Sequence, residues 1–205
     1  MSNLAPINQT KLYGLDKYFN ELVRMYKNDI YPNKILLSGQ KGIGKSTLAF
    51  HFINYILTLN EEYKYDIRNF KINSESPEFK TIQNKSNTNL LIVDVIDDKK
   101  LIDINQIREL IINLNKSSFN NKPRFVLIDN IELLNINSIN ALLKVLEEPN
   151  KNINFILINN NKKILPTLKS RCLNFKVFLT KDQSIRIINQ LLHNDLNNII
   201  NNKLF

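Results

Sequence analysis

The stretch "LSGQKGIGKSTLAF", residues 37–50, decides the architecture. It meets the pattern G-x-x-x-x-G-K-[ST] with Gly39, Gly44, Lys45 and Ser46. A short apolar run, "KILLS" (34–38), precedes it, and a helical pattern follows it. Glycines let a backbone wrap closely around phosphate groups with its N–H donors pointing inward, and the helix N-terminus adds partial positive charge. Lys45 is then placed to reach the outer phosphates, and the Ser46 hydroxyl to sit on Mg²⁺. The expected nucleotide cradle runs through Gly39, Gln40, Lys41, Gly42, Ile43, Gly44, Lys45, Ser46 and Thr47.

Outward from this loop, apolar runs alternate with helical patterns. "NLLIVDVI" (89–96), "RFVLID" (124–129), "NFILIN" (154–159) and "LNFKVF" (173–178) read as further buried strands. A helix is expected from the glycine loop to about Leu59, with Leu48, Phe52, Tyr55 and Ile56 on one face. A second is expected over about 104–115, capped by Asp103 with Gln106 three residues on. A third covers about 136–148 and stops at Pro149. This alternation predicts an α/β fold: a five-stranded parallel sheet flanked by helices, with strand carboxyl ends gathered at one edge. Residues 60–88 are polar and read as a loop-rich connection with one short element. After Thr180 the pattern turns helical, with Ile185, Ile188, Leu191 and Leu192 on a face. The division expected is a nucleotide-binding domain over 1–179 and the opening of a helical lid over 180–205.

A phosphate loop with Mg²⁺ needs an acid at the same edge. "RFVLIDNIELL" supplies Asp129 at a strand end. The next residue is Asn130, and an amide is no general base. Glu132 is expected to point elsewhere. Binding is therefore better supported than turnover.

Composition narrows the classes. Hydrophobic residues make up 43% and charged residues 23% of the 205, as in ordinary globular chains. No apolar run approaches the roughly 20 residues that span a bilayer, so no membrane role is expected. The opening residues lack a secretory pattern, and a cytoplasmic location is the default. The one cysteine, Cys172, excludes an internal disulfide and a cysteine-only zinc site. His51 and His193 have no ligand partners nearby in sequence. The net charge of 28 − 19 = +9 comes from scattered lysines in an Asn- and Ile-rich chain and by itself decides little.

Several motifs carry a more specific resemblance. Asn140–Pro149 reads N-A-L-L-K-x-L-E-E-P, and Leu165–Cys172 reads L-P-T-x-x-S-R-C. "IDINQIREL" (102–110), "SPEF" (76–79) and "KLYG" (11–14) add to these. Over about residues 10–180 the chain resembles the AAA+ subunits of clamp loaders, nearest to the delta-prime type of the bacterial DNA polymerase III holoenzyme. The resemblance implies a P-loop AAA+ domain holding ATP and Mg²⁺, with Ser46 and Asp129 on the metal. It implies an adenine contact near "KLYG" and a polar sensor at Asn159 or Asn160. Arg171 would be an arginine finger reaching a neighbouring subunit's ATP. The implied partners are gamma/tau and delta subunits, and through the assembly a sliding clamp and primed DNA. Three departures stand out: the four zinc cysteines of related chains are missing, position 130 is Asn, and the family's C-terminal collar has no counterpart in these 205 residues. A hydrolysing gamma/tau-type motor and an independent P-loop enzyme are the rival readings; a DNA-binding module lacks any base-reading element.

Overall fold

The computed structural model describes residues 5–96, 99–116, 120–147 and 152–201, with side chains described to 191. Five strands form one sheet: β1 (Lys34–Ser38), β2 (Leu90–Val93), β3 (Arg124–Ile128), β4 (Ile153–Asn159) and β5 (Leu173–Lys176). Their spatial order is β2-β3-β4-β1-β5, and every pairing is parallel. Buried Ile, Leu, Val and Phe dominate the strands because both faces are covered.

Alternation along the strands divides the core into two layers. Ile35, Leu37, Phe125, Leu127, Ile156 and Ile158 face α1 (Asp16–Lys27), α2 (Lys45–Leu57) and α3 (Pro77–Gln83). Leu36, Val126, Ile128, Phe155 and Leu157 face α4 (Ile104–Leu114), α5 (Ile136–Glu147) and the short α6 (Pro166–Lys169). The longer α7 (Lys181–Asn201) follows β5.

Local sequence explains the helix boundaries. Asp103 accepts from the N–H groups of Asn105 and Gln106, and Gln106 Oε1 accepts from the Asp103 N–H, closing a capping box on α4. Ser76 caps α3, with Pro77 at the first helical position, where its missing N–H costs nothing. The helix predicted after the glycine loop differs from expectation. It is buried all round, from Leu48 to Leu57, rather than on one face, because α1 and the 65–72 segment cover the side away from the sheet. The α1 helix adds an element not expected from the sequence: Phe19, Leu22 and Val23 are buried on one face, with Tyr18, Met25 and Tyr26 packed beside them. Glu148 and Pro149, where the third helix was expected to stop, lie outside the described residues.

Residues 60–75 are held by hydrogen bonds and aromatic packing. Leu12 N–H donates to Phe70 C=O at 3.0 Å, and Ile72 N–H to Thr10 C=O at 2.8 Å. Asp66 and Lys71 exchange backbone bonds of 2.8 and 3.0 Å. Tyr65 stacks on Phe19 at 5.0 Å, while Phe70 and Tyr55 meet the same Phe19 edge-on. Tyr65 Oη also lies 2.9 Å from Nδ1 of the fully buried His51, whose Nε2 is 3.0 Å from the Gln9 carbonyl. Burial pushes His51 down to about 4, because the protonated ring would lose its hydration. His51 is thus a core hydrogen-bonding residue. Lys122 pairs with Glu61 and Glu78, tying this segment to the turn before β3.

Candidate nucleotide site

The glycine loop begins where β1 leaves the sheet. A Cβ at Gly39 would lie 2.2 Å from the Val177 carbonyl oxygen, so the close approach of the chain after β5 requires glycine there. Gly44 has φ of 91°, and a side chain at that position would also crowd Leu15 Cδ1 at 3.0 Å. Leu48 N–H bonds back to the Gly44 carbonyl at 2.8 Å, starting α2 directly from the loop. A Cβ at Gly14 would meet Ile187 Cδ1 at 2.4 Å. The "KLYG" segment is therefore wedged between α7 on one side and, through Leu15, the glycine loop on the other.

Three strand ends converge on Lys45. The residue is 3% exposed, and its ammonium donates to the carbonyls of Gly39 (3.0 Å) and Gln40 (2.6 Å) and to Asn160 Oδ1 (2.9 Å). Burial lowers its pKa below the ordinary lysine range, while the charges of Asp129 and Glu132 oppose that fall. Ser46 Oγ donates to Asp129 Oδ2 at 2.5 Å. Burial raises the Asp129 carboxyl above the usual range; the Ser46 bond opposes this and the nearby Asp94 charge adds to it. A hydroxyl and a carboxylate side by side, both oxygen donors, form a set that fits Mg²⁺.

The two sensor candidates separate. Asn159 donates from Nδ2 to the Lys162 carbonyl (3.0 Å) and accepts from the Lys162 N–H (3.2 Å), which folds the loop and turns its side chain from Lys45. Asn160 faces the site. Its Oδ1 meets Lys45, its Nδ2 donates to Asn130 Oδ1 at 2.7 Å, and its backbone N–H donates to Glu132 Oε2 at 3.2 Å. Glu132 thus departs from expectation. A 3-10 turn over Ile131–Leu133, entered through Asn130 at φ 53°, swings its carboxylate back toward β4. Asn130 Nδ2 in turn donates to Asp94 Oδ1 at 2.7 Å. Asp94 follows β2 as Asp129 follows β3, and Val93 pairs with Ile128. Glu132 was expected to point away from the site, and Asp94 was not expected there at all; for Asp94 the available signal was that "NLLIVD" ends in an acid just as "RFVLID" does.

Arg171 is remote from this cluster. Its guanidinium donates to the Glu147 carboxylate and, at 2.7 Å, to the Thr167 carbonyl. Leu173, two residues later, pairs with Ile35 at the start of β1. Gly39 lies four residues further along that strand, about 13 Å at 3.3 Å per residue. Cys172 beside it is partly buried, which pushes its thiol up to about 11. Among the described residues no cluster of metal-binding side chains is present apart from the Ser46–Asp129 pair, and no helix is long and apolar enough to cross a membrane.

A parallel sheet in this order, a glycine loop feeding a helix from β1, and an acid at the end of β3, with β4 between the two strands, define a P-loop AAA+ fold, a class that implies nucleotide binding. A family model described as "DNA polymerase III, delta subunit" matches residues 14–181, and the chain belongs to that family. The DNA polymerase III subunit gamma of Buchnera aphidicola subsp. Schizaphis graminum is 32% identical over 170 residues, 80% of this chain and 44% of the relative. The subunit delta' of Buchnera aphidicola subsp. Baizongia pistaciae is 31% identical over 169 residues, 74% of this chain and 48% of the relative. The chain thus spans less than half the length of these curated relatives. Among solved structures, a DNA polymerase III gamma subunit-related protein from Thermotoga maritima aligns with a TM-score of 0.50 at 20% identity, covering 78% of this chain and 47% of that one. The Thermotoga maritima RuvB Holliday junction branch migration motor aligns with a TM-score of 0.53 at 15% identity, covering 89% and 53%. At these identities the likeness concerns the fold.

Proposed function

We propose that the chain is the ATP-binding part of a delta-prime-type clamp-loader subunit, working with gamma/tau and delta subunits to place a sliding clamp on primed DNA. The phosphates would lie against the backbone of 39–44, with Lys45 leaving the Gly39 and Gln40 carbonyls to meet them. Ser46 and Asp129 would hold Mg²⁺, which would offset the negative charge of the phosphates. Asn160 would contact the outer phosphate, and Asn159 would shape the loop that presents it. The segment 11–15 would line the base end, and residues 180–205 would begin the lid. Exposed Ile185, Ile188 and Leu191 suit a helix that packs against further lid structure.

The observation that carries the reading is the separation of Arg171 from its own phosphate loop. Arg171 spends its donors on Glu147 and Thr167 and none on its own phosphate loop, and the strand that follows it pairs with the start of β1, so it is available to a neighbour's nucleotide. Relatives named delta' and gamma point to the same assembly. A gamma/tau-type hydrolysing subunit is the second reading, favoured by the Glu132 carboxylate facing Asn160. Affinity purification from the host, with mass-spectrometric identification of what accompanies the protein, tests the assignment. Recovery of clamp-loader subunits is expected, and their absence under conditions that preserve the complex would sink it.

A further inference from the structure

Beside the nucleotide site, on the α4–α6 face of the sheet, lies a second concavity of about 340 Å³. Lys162, Lys163, Lys169 and Lys176 line it, with Leu36 and Ile164 forming its apolar wall. These lysines converge from three separate places: the β4–α6 loop, α6 and the end of β5. No acidic residue among those described lines the cavity, and none of the four ammonium groups makes an ion pair with a described residue. Two of the other polar walls are engaged within the protein. Ser38 Oγ donates to Asn174 Oδ1 at 2.6 Å, and Asn159 is closed on the Lys162 main chain. The four exposed like charges together set a positive potential over the hollow that attracts an anion. Elsewhere in the chain lysines do find acids, as Lys122 and Lys99 do.

We propose that this hollow is an oxyanion pocket for a compact polyphosphate, separate from the phosphate loop. Flexible ammonium groups, each with three donors, suit clustered phosphate oxygens without fixing one orientation. The concave shape favours a small, doubly charged group over a long, flat nucleic-acid backbone. The pocket also shares a wall with the nucleotide site. Asn159 pins the loop whose next residue, Asn160, meets Lys45, so an anion on Lys162 loads the same loop from behind. The inference does not rest on the clamp-loader reading.

The test is calorimetric titration of the 205-residue chain with inorganic pyrophosphate, run in a Lys45→Ala background to remove the phosphate loop's contribution. Saturable binding is expected in that background. It should fall on the order of tenfold in the added triple variant Lys162→Gln, Lys169→Gln, Lys176→Gln, and return to within about threefold when the three become arginine. Thermal unfolding of each variant checks that these exposed changes leave the fold intact. A single-stranded oligonucleotide forms the second arm. Equal pyrophosphate affinity in triple variant and parent, or no binding in Lys45→Ala, overturns the proposal. Oligonucleotide binding through the same lysines without pyrophosphate binding overturns it in favour of a nucleic-acid track. Either failure leaves the nucleotide reading untouched, since Lys45 is already removed.

Discussion

The side-chain nitrogen of Asn130 lies 2.7 Å from Oδ1 of Asp94, and this pairing orients a relay across three strand ends. A carboxylate only accepts, so the Asn130 amide must present its oxygen to Asn160. Asn160 then turns its own oxygen to Lys45, which only donates. An acceptor at one end and a donor at the other fix the direction of both amides. Asn130 also occupies a left-handed backbone conformation that asparagine tolerates better than most residues.

Asn130→Glu alone is therefore expected to give no gain in ATP turnover. The new carboxylate would face Asp94 and stand next to Asp129, and the left-handed backbone would add strain of about 1 kcal/mol. The pair Asp94→Asn with Asn130→Glu restores one donor and one acceptor and is expected to turn over faster than either single variant. A coupled ATPase assay decides; turnover raised by Asn130→Glu alone would mean Asp94 does not constrain the position.

Lys45→Ala is expected to weaken Mg-nucleotide binding at least about tenfold, through loss of a charge-assisted contact of roughly 1.5–3 kcal/mol. The substitution also strips a buried donor from the Gly39 and Gln40 carbonyls, so its folding should be checked alongside. Equal affinities by calorimetry would remove the phosphate loop from the binding site.

Arg171→Ala should leave nucleotide affinity of the isolated chain within about twofold, since no contact to its own loop is lost. In a reconstituted assembly the same change should lower DNA- and clamp-stimulated hydrolysis. A fully acting finger contributes about 10³–10⁵ in rate, diluted here by the other sites. Lysine should not substitute, because the planar fork is lost. A mutant impaired alone but normal in the assembly would refute the trans role.

His51 gives a pH signature. Its folded value, about 4, lies below the unfolded 6.5, so the unfolded chain binds more protons between them and stability rises with pH there. The His51 contribution is full above 6.5 and falls away as pH drops toward 4. The gap corresponds to about 3 kcal/mol at 1.36 kcal/mol per pH unit. His51→Gln is expected to be less stable at pH 7, yet to show a shallower fall between pH 6.5 and 4. Urea unfolding across that range measures the difference; parallel slopes would count against a buried neutral ring.

Sequence alone determined the elements that depend on near neighbours. The phosphate loop, the capping box at Asp103 and the five apolar strands are set by residues within a few positions of one another. Their backbone requirements are therefore written locally. The α1 helix carries the same kind of local signal, since Phe19, Leu22, Val23 and Tyr26 recur at helical spacing, although no expectation was drawn from it. At the site, Lys45, Ser46 and Asp129 were legible because motif and strand end name them. The roles of Asp94, Asn130, Glu132 and Asn160 were decided only by tertiary structure. Their hydrogen bonds join residues 28 to 115 positions apart, and no local pattern encodes which carboxylate meets which amide. The same holds for Asn159 and Asn160: identical side chains, adjacent in sequence, point to opposite sides of a strand end, and the pleat of β4 within the assembled sheet divides their tasks.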